Sequence, residues 1–288
     1  MTAAPFPPWP AGSDFTLVNL NLRFGLAQDG ENRWDRRRRL WPTFLERCPA
    51  DFLVLQEVND FQADDLQALL GAYGCVGRRR PAPQSWQHNL IWYRREWTCE
   101  ASDHFYLSPT PQIPSRFRAS RWPRQCSAAV FTRDGCRLAI AATHLDFDFQ
   151  VQEASARLIR RRVDAMAAAA NATIVAGDFN APPGTPAHRV LTVDPHVDGR
   201  TIPSFKDVFA PPYPGTHHGF TGSRDGDYID WILYHGAIEV LRCGVLQTPI
   251  EGRHLSDHYP VWAAFGWQAP QRAATHAADH QPAVRRTK

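Results

Sequence analysis

Short apolar runs recur along this chain, and most of them end in polar residues. Residues 15–22, 51–58 and 173–178 show this pattern, and the third run, Thr-Ile-Val-Ala-Gly, leads directly into Asp178. Apolar runs of about four to eight residues bounded by turn residues are typical of buried strands. Asp134-Gly135 separates two such runs and predicts a hairpin turn. By the same criterion, further strands are predicted at residues 88–93, 127–132, 137–143, 226–234, 238–246 and 261–265.

Helical periodicity separates several of the predicted strands. Apolar residues at helical spacing predict three helices, over residues 34–45, 61–73 and 150–170. Pro186 is suited to the first position of a short fourth helix. The arginine run at residues 36–39 falls in the first helix, and we interpret it as a solvated face. Candidate N-caps are Asn32, Asn59 or Asp60, and Thr185.

A long stretch rich in proline and arginine lies between two predicted strands. Residues 108–124 contain four prolines, which disfavour regular structure. Arginines are interleaved with Phe117 and Trp122, so this loop could grip a phosphate or stack on a base or sugar. A surface loop ordered by its own aromatic residues explains the composition equally well. The candidate substrate-binding residues are Arg116, Arg118, Arg121 and Trp122.

Polar residues at the ends of the first two strands are candidates for a functional site. Asn19 and Asn21 share one face of the first predicted strand, although asparagine is unfavourable in strands. They indicate either a polar cluster or a solvent-facing edge strand. The second strand ends in Gln56 and Glu57, and a carboxylate there is costly unless it is paired or bound to a metal. Glu57 is therefore a candidate ligand for a hard cation, with a rim glutamate in water as the alternative.

Later stretches of the chain carry further candidate residues. Asp178 and Asn180 lie two positions apart where a strand meets a loop, which indicates either a site for chemistry or an Asx turn. His144 ends another strand, where a single histidine is more often structural. Asp230 lies inside an apolar strand, and an aspartate in such a place often holds a histidine in one tautomer. His258, shortly before the last strand, is the candidate partner.

Composition narrows the class of protein. The 288 residues are 43% hydrophobic and 21% charged, which fits a soluble protein with a sizeable core. A net charge of +3 is too mild to require a nucleic-acid partner. None of the six cysteines belongs to a Cys-x-x-Cys pair, so zinc has no local support and we expect mostly reduced thiols.

The same composition predicts location and domain boundaries. No apolar run approaches the roughly 20 residues that span a bilayer, so no membrane partner is expected. Residues 1–14 lack the pattern of a signal peptide, and we expect a cytoplasmic protein. We predict a flexible segment at residues 1–14, one domain at residues 15–267 and a disordered tail at residues 268–288.

The order of the polar motifs resembles that of a known family. The chain is similar, over residues 15–265, to the endonuclease/exonuclease/phosphatase superfamily, the metal-dependent phosphoesterases that share the deoxyribonuclease I fold. Residues 29–37 also resemble the short bacterial members. The tyrosine of repair-type relatives has no clear match, and His144 suggests the other branch, which argues against an abasic-site nuclease. The matching motifs are Asn21, Gln56-Glu57, Thr143-His144-Leu145, Gly177-Asp178-Phe179-Asn180, Ile229-Asp230 and Ser256-Asp257-His258.

The resemblance implies a fold and a cofactor. The fold would be a four-layer α/β sandwich, with two packed mixed β-sheets flanked by helices. The cofactor would be a divalent cation, Mg²⁺ or Mn²⁺, and the oxygen and nitrogen donors found above suit such an ion. By this analogy Glu57 is the main metal ligand, with Asn21 and Asp257 beside it.

The resemblance also implies catalytic roles. Asp178 would orient or deprotonate the attacking water, and Asn180 would position that water or a phosphate oxygen. His258, held by Asp230, and His144 would stabilise the phosphorane-like charge. Catalysis would then consist of positioning and electrostatic stabilisation.

Two classes of function follow from the sequence. The first is a metal-dependent phosphodiesterase or phosphomonoesterase, whose candidate substrates include nucleic acid (a nuclease or deadenylase), lipid diesters and small phosphoesters. The sequence has no membrane-binding stretch that would support a lipid diester as the substrate. The second is a catalytically silent binding module, against which the reactive residue types at all motif positions argue. We expect a compact phosphoester or a single-stranded nucleic acid end as partner, and no protein partner is implied.

Overall fold

The computed structural model describes residues 9–79 and 82–268, and two six-stranded β-sheets make up most of this part. The described strands, in chain order, are β1 (Phe15–Asn21), β2 (Phe52–Val58), β3 (Tyr73–Val76), β4 (His88–Arg94), β5 (Thr98–Tyr106), β6 (Gln125–Arg133), β7 (Cys136–His144), β8 (Ala172–Asp178), β9 (His196–Val197), β10 (Arg200–Thr201), β11 (Lys206–Asp207), β12 (Asp230–Gly236), β13 (Ile238–Val245) and β14 (Val261–Trp267).

Both large sheets are mixed. The first has the order β13-β14-β1-β2-β4-β3, and the second β11-β12-β8-β7-β6-β5. β1 pairs parallel with β2 and antiparallel with β14, and β8 pairs parallel with β7 and antiparallel with β12. β1 is therefore a central strand, so the edge-strand alternative for residues 15–22 is wrong. β9 and β10 form a separate two-stranded sheet.

The predicted first helix is interrupted. Within the described residues, a 3-10 turn, Gly30–Asn32, precedes the first α-helix, and another, Arg38–Leu40, follows it. Asn32 is therefore inside a turn and does not cap the helix, and a proline at the start of the second helix accompanies the break. The α-helices are α1 (Trp34–Arg37), α2 (Trp41–Arg47), α3 (Asp60–Leu69), α4 (Phe149–Met166) and α5 (Pro186–Thr192).

Alternation along the strands assigns side chains to three apolar clusters. In β2, Phe52 and Val54 lie between the two sheets, whereas Leu53 and Leu55 pack beneath α1, α2 and α3. The outer face of the second sheet packs in the same way against α4 and α5, where Ile159 is fully buried. The layers are helix, sheet, sheet and helix. This arrangement confirms the predicted four-layer α/β sandwich.

The interpretation of residues 36–39 as a solvated face is wrong for Arg37. Its side chain is 1% exposed, and it donates hydrogen bonds to the carbonyl oxygens of Leu22 (2.9 Å), Asn32 (2.6 Å) and Leu255 (2.6 Å). Burial lowers the pKa of Arg37 to about 10. Because Leu22 follows β1 and Leu255 precedes the Ser-Asp-His motif, Arg37 ties two segments that carry candidate site residues to one helix.

Local turn signals gave mixed results. The predicted hairpin is confirmed, since β6 and β7 pair antiparallel across Asp134 and Gly135, both with positive φ (51° and 79°). The second predicted helix ends at Leu69, earlier than expected, and Tyr73 begins β3. β3 and β5 were not predicted from the sequence, and neither were the two-residue strands β9, β10 and β11. β5 is an edge strand with mostly polar side chains, so it lacks the expected apolar alternation.

The first described residues pack against the last strand, β14. Trp9 packs edge-on against Trp262, with ring centroids 5.1 Å apart. Residues 1–8 of the predicted flexible segment and residues 269–288 of the predicted tail lie outside the described residues.

The six cysteines are free thiols. Among the described residues, no helix has the length and apolar character needed to cross a membrane.

Candidate active site

The polar side chains at the ends of β1 and β8 meet between the two sheets. Nδ2 of Asn19 donates to the carbonyl oxygen of Gly177 (3.0 Å), and Nδ2 of Asn21 donates to Oδ2 of Asp178 (2.9 Å). Gly177 allows β8 to lie this close to β7, since a Cβ there would be 2.1 Å from the carbonyl oxygen of Thr143. The interpretation of the two asparagines as part of a polar cluster is therefore confirmed.

Glu57 departs from the regular path of β2. The pairing of β2 with β4 shifts register between Leu55 and Val58, and Glu57 has φ of +59°. A left-handed φ is uncommon for a non-glycine residue, and such residues cluster at functional sites. Oε2 of Glu57 accepts a hydrogen bond from the backbone N–H of Phe24 (2.6 Å), and Oε1 lies 3.2 Å from Nδ2 of Asn21. The irregularity thus directs this carboxylate into the polar cluster.

Asp178 lies at the centre of the cluster. Its Oδ1 accepts the backbone N–H of Asn180 (2.9 Å), and its Oδ2 accepts Nδ2 of Asn21. The same Oδ2 lies 3.5 Å from Nε2 of His144 and 3.8 Å from Nε2 of His258. Burial raises the pKa of Asp178 to about 7, although the charge of His258 opposes the shift. A carboxylate that titrates near neutral pH is suited to accept a proton from water.

His144 and Asn180 form a pair beside Asp178. Asn180 has φ of +48°, and its Nδ2 donates to the carbonyl oxygen of Leu145 (3.0 Å) and lies 3.0 Å from Nε2 of His144. Burial lowers the pKa of His144 well below its ordinary value, and the charges of Arg124 and His258 add to the shift. A neutral ring accepts the amide hydrogen at Nε2 and keeps its own proton on Nδ1. His144 therefore orients Asn180, which fits the geometry better than a positively charged role.

Asp230 and His258 form the expected pair. Oδ2 of Asp230 lies 2.8 Å from Nδ1 of His258, and Asp230 faces Asp178 across the register of β12 and β8. Burial lowers the pKa of His258, but Asp230, Asp178 and Asp257 outweigh it and raise that pKa to about 10. His258 is therefore an imidazolium at neutral pH, with one N–H on Asp230 and the other facing Asp178.

Asp257 lies at the edge of the cluster, beside Arg23. Its Oδ2 is 3.3 Å from Nη1 of Arg23, and its Oδ1 accepts a hydrogen bond from Oγ of Ser256 (3.0 Å). Arg23 is held in turn by Asp29 through two hydrogen bonds, of 2.9 and 2.8 Å. His217 packs on His258, with ring centroids 4.7 Å apart. Arg23 and His217 carry no sequence signal of their own, because both lie in irregular loops.

Several carboxylates of the cluster are candidate donors for a divalent cation. The imidazolium form of His258 has no free lone pair, which leaves Asp178 and Asp230 as donors in one group and Asp257 and His217 in the other. These aspartates and Glu57, which belongs to neither group, are hard oxygen donors, the type that Mg²⁺ and Mn²⁺ prefer. Asn21 turns its amide nitrogen toward Glu57, so ligation by Asn21 requires the amide to rotate. The two groups with ligand atoms within 4.8 Å of one another are Asp178, Asp230 and His258, and His217, Asp257 and His258.

The predicted substrate-binding residues are distributed over the basic loop. Trp122 lines a cavity that His144 also lines, and the guanidinium of Arg121 lies 4.5 Å from the Trp122 ring centroid. Arg118 is exposed, and Arg116 donates to the carbonyl oxygen of Ser120 within the loop itself. The same cavity contains a further arginine of this loop, at position 124, which the sequence pattern does not distinguish from its neighbours.

A family comparison agrees with this geometry. The model of the Endonuclease/Exonuclease/phosphatase family matches residues 18–258. The chain belongs to this family. The family match begins in β1 and ends at His258, so it spans every polar motif of the cluster. No curated protein matches the chain.

Several solved structures have the same fold. One is an endonuclease/exonuclease/phosphatase from Bacteroides vulgatus, 24% identical, which covers 88% of this chain and 99% of its own with a TM-score of 0.77. The mannosyl-6-phosphatase Bt3783 of Bacteroides thetaiotaomicron is also 24% identical, covers 88% and 100%, and has a TM-score of 0.77. D. rerio TDP2 with a single-strand DNA product is 16% identical, covers 88% and 98%, and has a TM-score of 0.66. At these identities the likeness shows the fold alone.

Proposed function

We propose that this chain is a metal-dependent phosphoesterase that hydrolyses a compact phosphomonoester or phosphodiester by attack of water. The observation that supports this most is the buried pair of Asp178, whose pKa is raised to about 7, and His258, whose pKa is raised to about 10. Their facing atoms lie 3.8 Å apart. A proton acceptor next to a fixed imidazolium suits water attack on a phosphoryl centre.

Each residue has a defined part in this proposal. Asp178 takes a proton from the attacking water, and Asn180, oriented by His144, positions that water or a phosphate oxygen. His258 donates its Nε2 hydrogen to the charge that develops on the phosphoryl oxygens. Glu57 and Asp257, with Asn21 after rotation of its amide, would hold a divalent cation. When bound, that cation would supply Lewis-acid stabilisation of the same negative charge.

A single-stranded nucleic acid end is the second candidate substrate. Trp122 is 46% exposed at the cavity that His144 lines, and bases stack on exposed aromatic side chains. The TDP2 structure with a single-strand DNA product has the same fold, while Bt3783 is a mannosyl-6-phosphatase. Both kinds of substrate present one phosphoester on a small or unpaired group, so the proposal covers both.

A substrate panel tests the proposal directly. Purified protein is incubated with phosphomonoesters, a chromogenic phosphodiester and single-stranded oligonucleotides, with Mg²⁺ or Mn²⁺ and with excess chelator. We expect hydrolysis of at least one substrate with metal, none with chelator and none by Asp178→Asn. Asp225→Asn, an exposed carboxylate on a nearby loop, is the matched control and should retain full activity. Failure of every substrate to react would favour the silent binding module.

A further inference from the structure

A cavity of about 180 Å³ adjoins the candidate active site. His144 forms one side, so the cavity is continuous with the residues around Asp178. The loop of residues 85–87 and the end of the basic loop form the rest. The aromatic and charged side chains that line it are Trp86, Trp122, Arg124 and His144.

Arg124 is buried in this cavity without a hydrogen-bond acceptor. Its side chain is 8% exposed, and its Nε is buried without a partner. Among residues 9–79 and 82–268, no carboxylate or carbonyl oxygen accepts a hydrogen bond from its guanidinium. Burial lowers the pKa of Arg124, while Asp178, Glu57 and Asp146 oppose the shift. A buried guanidinium without an acceptor is costly, and an anion in the cavity would remove that cost.

Two other buried arginines show how this fold otherwise satisfies such groups. Arg37 donates hydrogen bonds to three carbonyl oxygens at the ends of neighbouring segments. Arg160, also 1% exposed, donates to the carbonyl oxygens of Val190, Asp194 and Ile202. Both donate to several backbone carbonyl oxygens, although Nε of Arg160 is itself buried without a partner. Arg124 differs from both because none of its nitrogens donates to an acceptor among residues 9–79 and 82–268.

Exposed aromatic rings surround this guanidinium. The Arg124 guanidinium lies 5.8 Å from the Trp122 ring centroid and 5.7 Å from that of Phe147. Phe147 is 63% exposed and Trp122 is 46% exposed, so neither ring is needed to fill the core. Exposed aromatic rings beside a site commonly pack against the faces of sugars and bases.

We propose that this cavity, the Arg124 pocket, binds a phosphorylated ring compound, a sugar phosphate or a nucleotide. Arg124 donates to the phosphate oxygens with the planar fork that suits phosphate. Trp122 and Phe147 pack against the ring that carries the phosphate. The inference rests on the proposed function for the position of the reacting phosphoryl group, which His144 and Asn180 border. It goes further by naming the substrate class and the residues that select it.

Titration calorimetry measures ligand binding separately from turnover and therefore tests the Arg124 pocket directly. The protein carries Asp178→Asn and Mg²⁺ is present, and the probes are inorganic phosphate, ribose 5-phosphate and AMP. Arg124→Met should weaken binding of all three at least about tenfold. Trp122→Ala should weaken ribose 5-phosphate and AMP about fivefold or more but leave inorganic phosphate nearly unchanged. Arg39→Met, an exposed arginine on the opposite side of the first sheet, should change none.

The outcomes separate this proposal from the proposed function. The Arg124 pocket is overturned if Arg124→Met leaves binding unchanged, or if the Asp178→Asn protein without a further substitution binds none of the probes. If the native protein hydrolyses no substrate of the panel but the substitutions still weaken binding as expected, the phosphoesterase proposal is overturned and the Arg124 pocket stands. Arg124→Lys, which keeps the charge and loses the fork, replaces Arg124→Met if circular dichroism shows that the latter is unfolded. Equal binding of inorganic phosphate and AMP would overturn ring recognition, and a preference between the two ring probes identifies sugar or nucleotide.

Discussion

Nδ1 of His258 lies 2.8 Å from Oδ2 of Asp230, although the two residues are 28 positions apart in the sequence. Asp230 begins β12 and is fully buried, and His258 lies in the segment that leads into β14, where it forms an isolated β-bridge with His217. The bond therefore connects the two sheets at the end where the polar cluster lies. It also sets the charge of His258, because Asp230 is the largest contribution that raises its pKa.

Asp230→Asn should reduce activity far more than stability. The amide cannot favour the imidazolium, so the pKa of His258 should fall toward its ordinary value and the ring should lose its fixed tautomer. We expect kcat to fall roughly 100-fold or more, with a small change in the midpoint of thermal unfolding. The ¹H and ¹⁵N signals of the His258 ring, titrated by NMR, give the pKa directly. An unchanged titration curve would contradict the assigned role.

Activity should depend on pH in a bell shape. Asp178 must be deprotonated to accept a proton, so kcat should rise as pH passes through about 7. His258 must be protonated to donate, so kcat should fall as pH passes through about 10. Asp230→Asn should move the alkaline limb to lower pH, because it removes the largest contribution that raises the pKa of His258. A rate that stays level between pH 5 and 9 would count against Asp178 as the base.

Glu57→Gln should weaken binding of Mg²⁺ or Mn²⁺ while the fold remains intact. The substitution removes the charge of the donor, and the amide keeps nearly the same shape. We expect at least about tenfold weaker affinity by calorimetry, with unchanged circular dichroism. Glu46→Gln, a carboxylate on α2 away from the cluster, serves as control. Full turnover of the native protein in excess chelator would refute metal dependence altogether.

Gly177→Ala should destabilise the protein and disturb the site. The added Cβ would meet the carbonyl oxygen of Thr143 at 2.1 Å, and backbone cannot move aside at low cost. We expect a loss of about 1–3 kcal/mol in the free energy of unfolding, measured by urea titration. Gly71→Ala, where a Cβ meets no atom within 4 Å, is the matched control. Equal stability of the two variants would mean that β7 and β8 adapt.

Long duplex DNA should bind weakly and with little salt dependence. Arg37 and Arg160 are buried and bonded to carbonyl oxygens, and Arg78 pairs with Asp60, so these three charges are not available to duplex phosphates. A protein that grips duplex phosphates releases counterions and loses affinity steeply with salt. Fluorescence anisotropy with a labelled duplex at 50 and 200 mM salt measures this. Tight, salt-sensitive binding with nicking would reverse the substrate assignment.

Site residues could be predicted from the sequence where the residue type and its position at a strand end were sufficient to identify them. Asp178, Asp230 and His258 follow from the cost of burying carboxylates and from the resemblance, and the sandwich follows from apolar runs. The special backbone of Glu57 could not be predicted, because the register shift in β2 depends on its pairing with β4. Local pattern alone leaves such tertiary choices open.

The sequence did not distinguish buried arginines from exposed ones. Arg37, Arg124 and the exposed Arg118 lie in similar runs, yet the first is bonded to carbonyl oxygens, the second lines the cavity and the third faces solvent. Burial of an arginine depends on which carbonyl groups the folded chain brings near it. The charge run itself contains no information about that.

The position of β1 between β2 and β14 has a consequence for synthesis of the protein. β1 pairs with residues Val261–Trp267, so one of its edges stays open on the ribosome until nearly all of the described chain has emerged. His258 lies just ahead of this last strand and is the final residue of the cluster to be translated. Under the proposed function, a nascent chain without His258 would lack activity, and until β14 pairs, the open edge of β1 would be the surface that a chaperone shields.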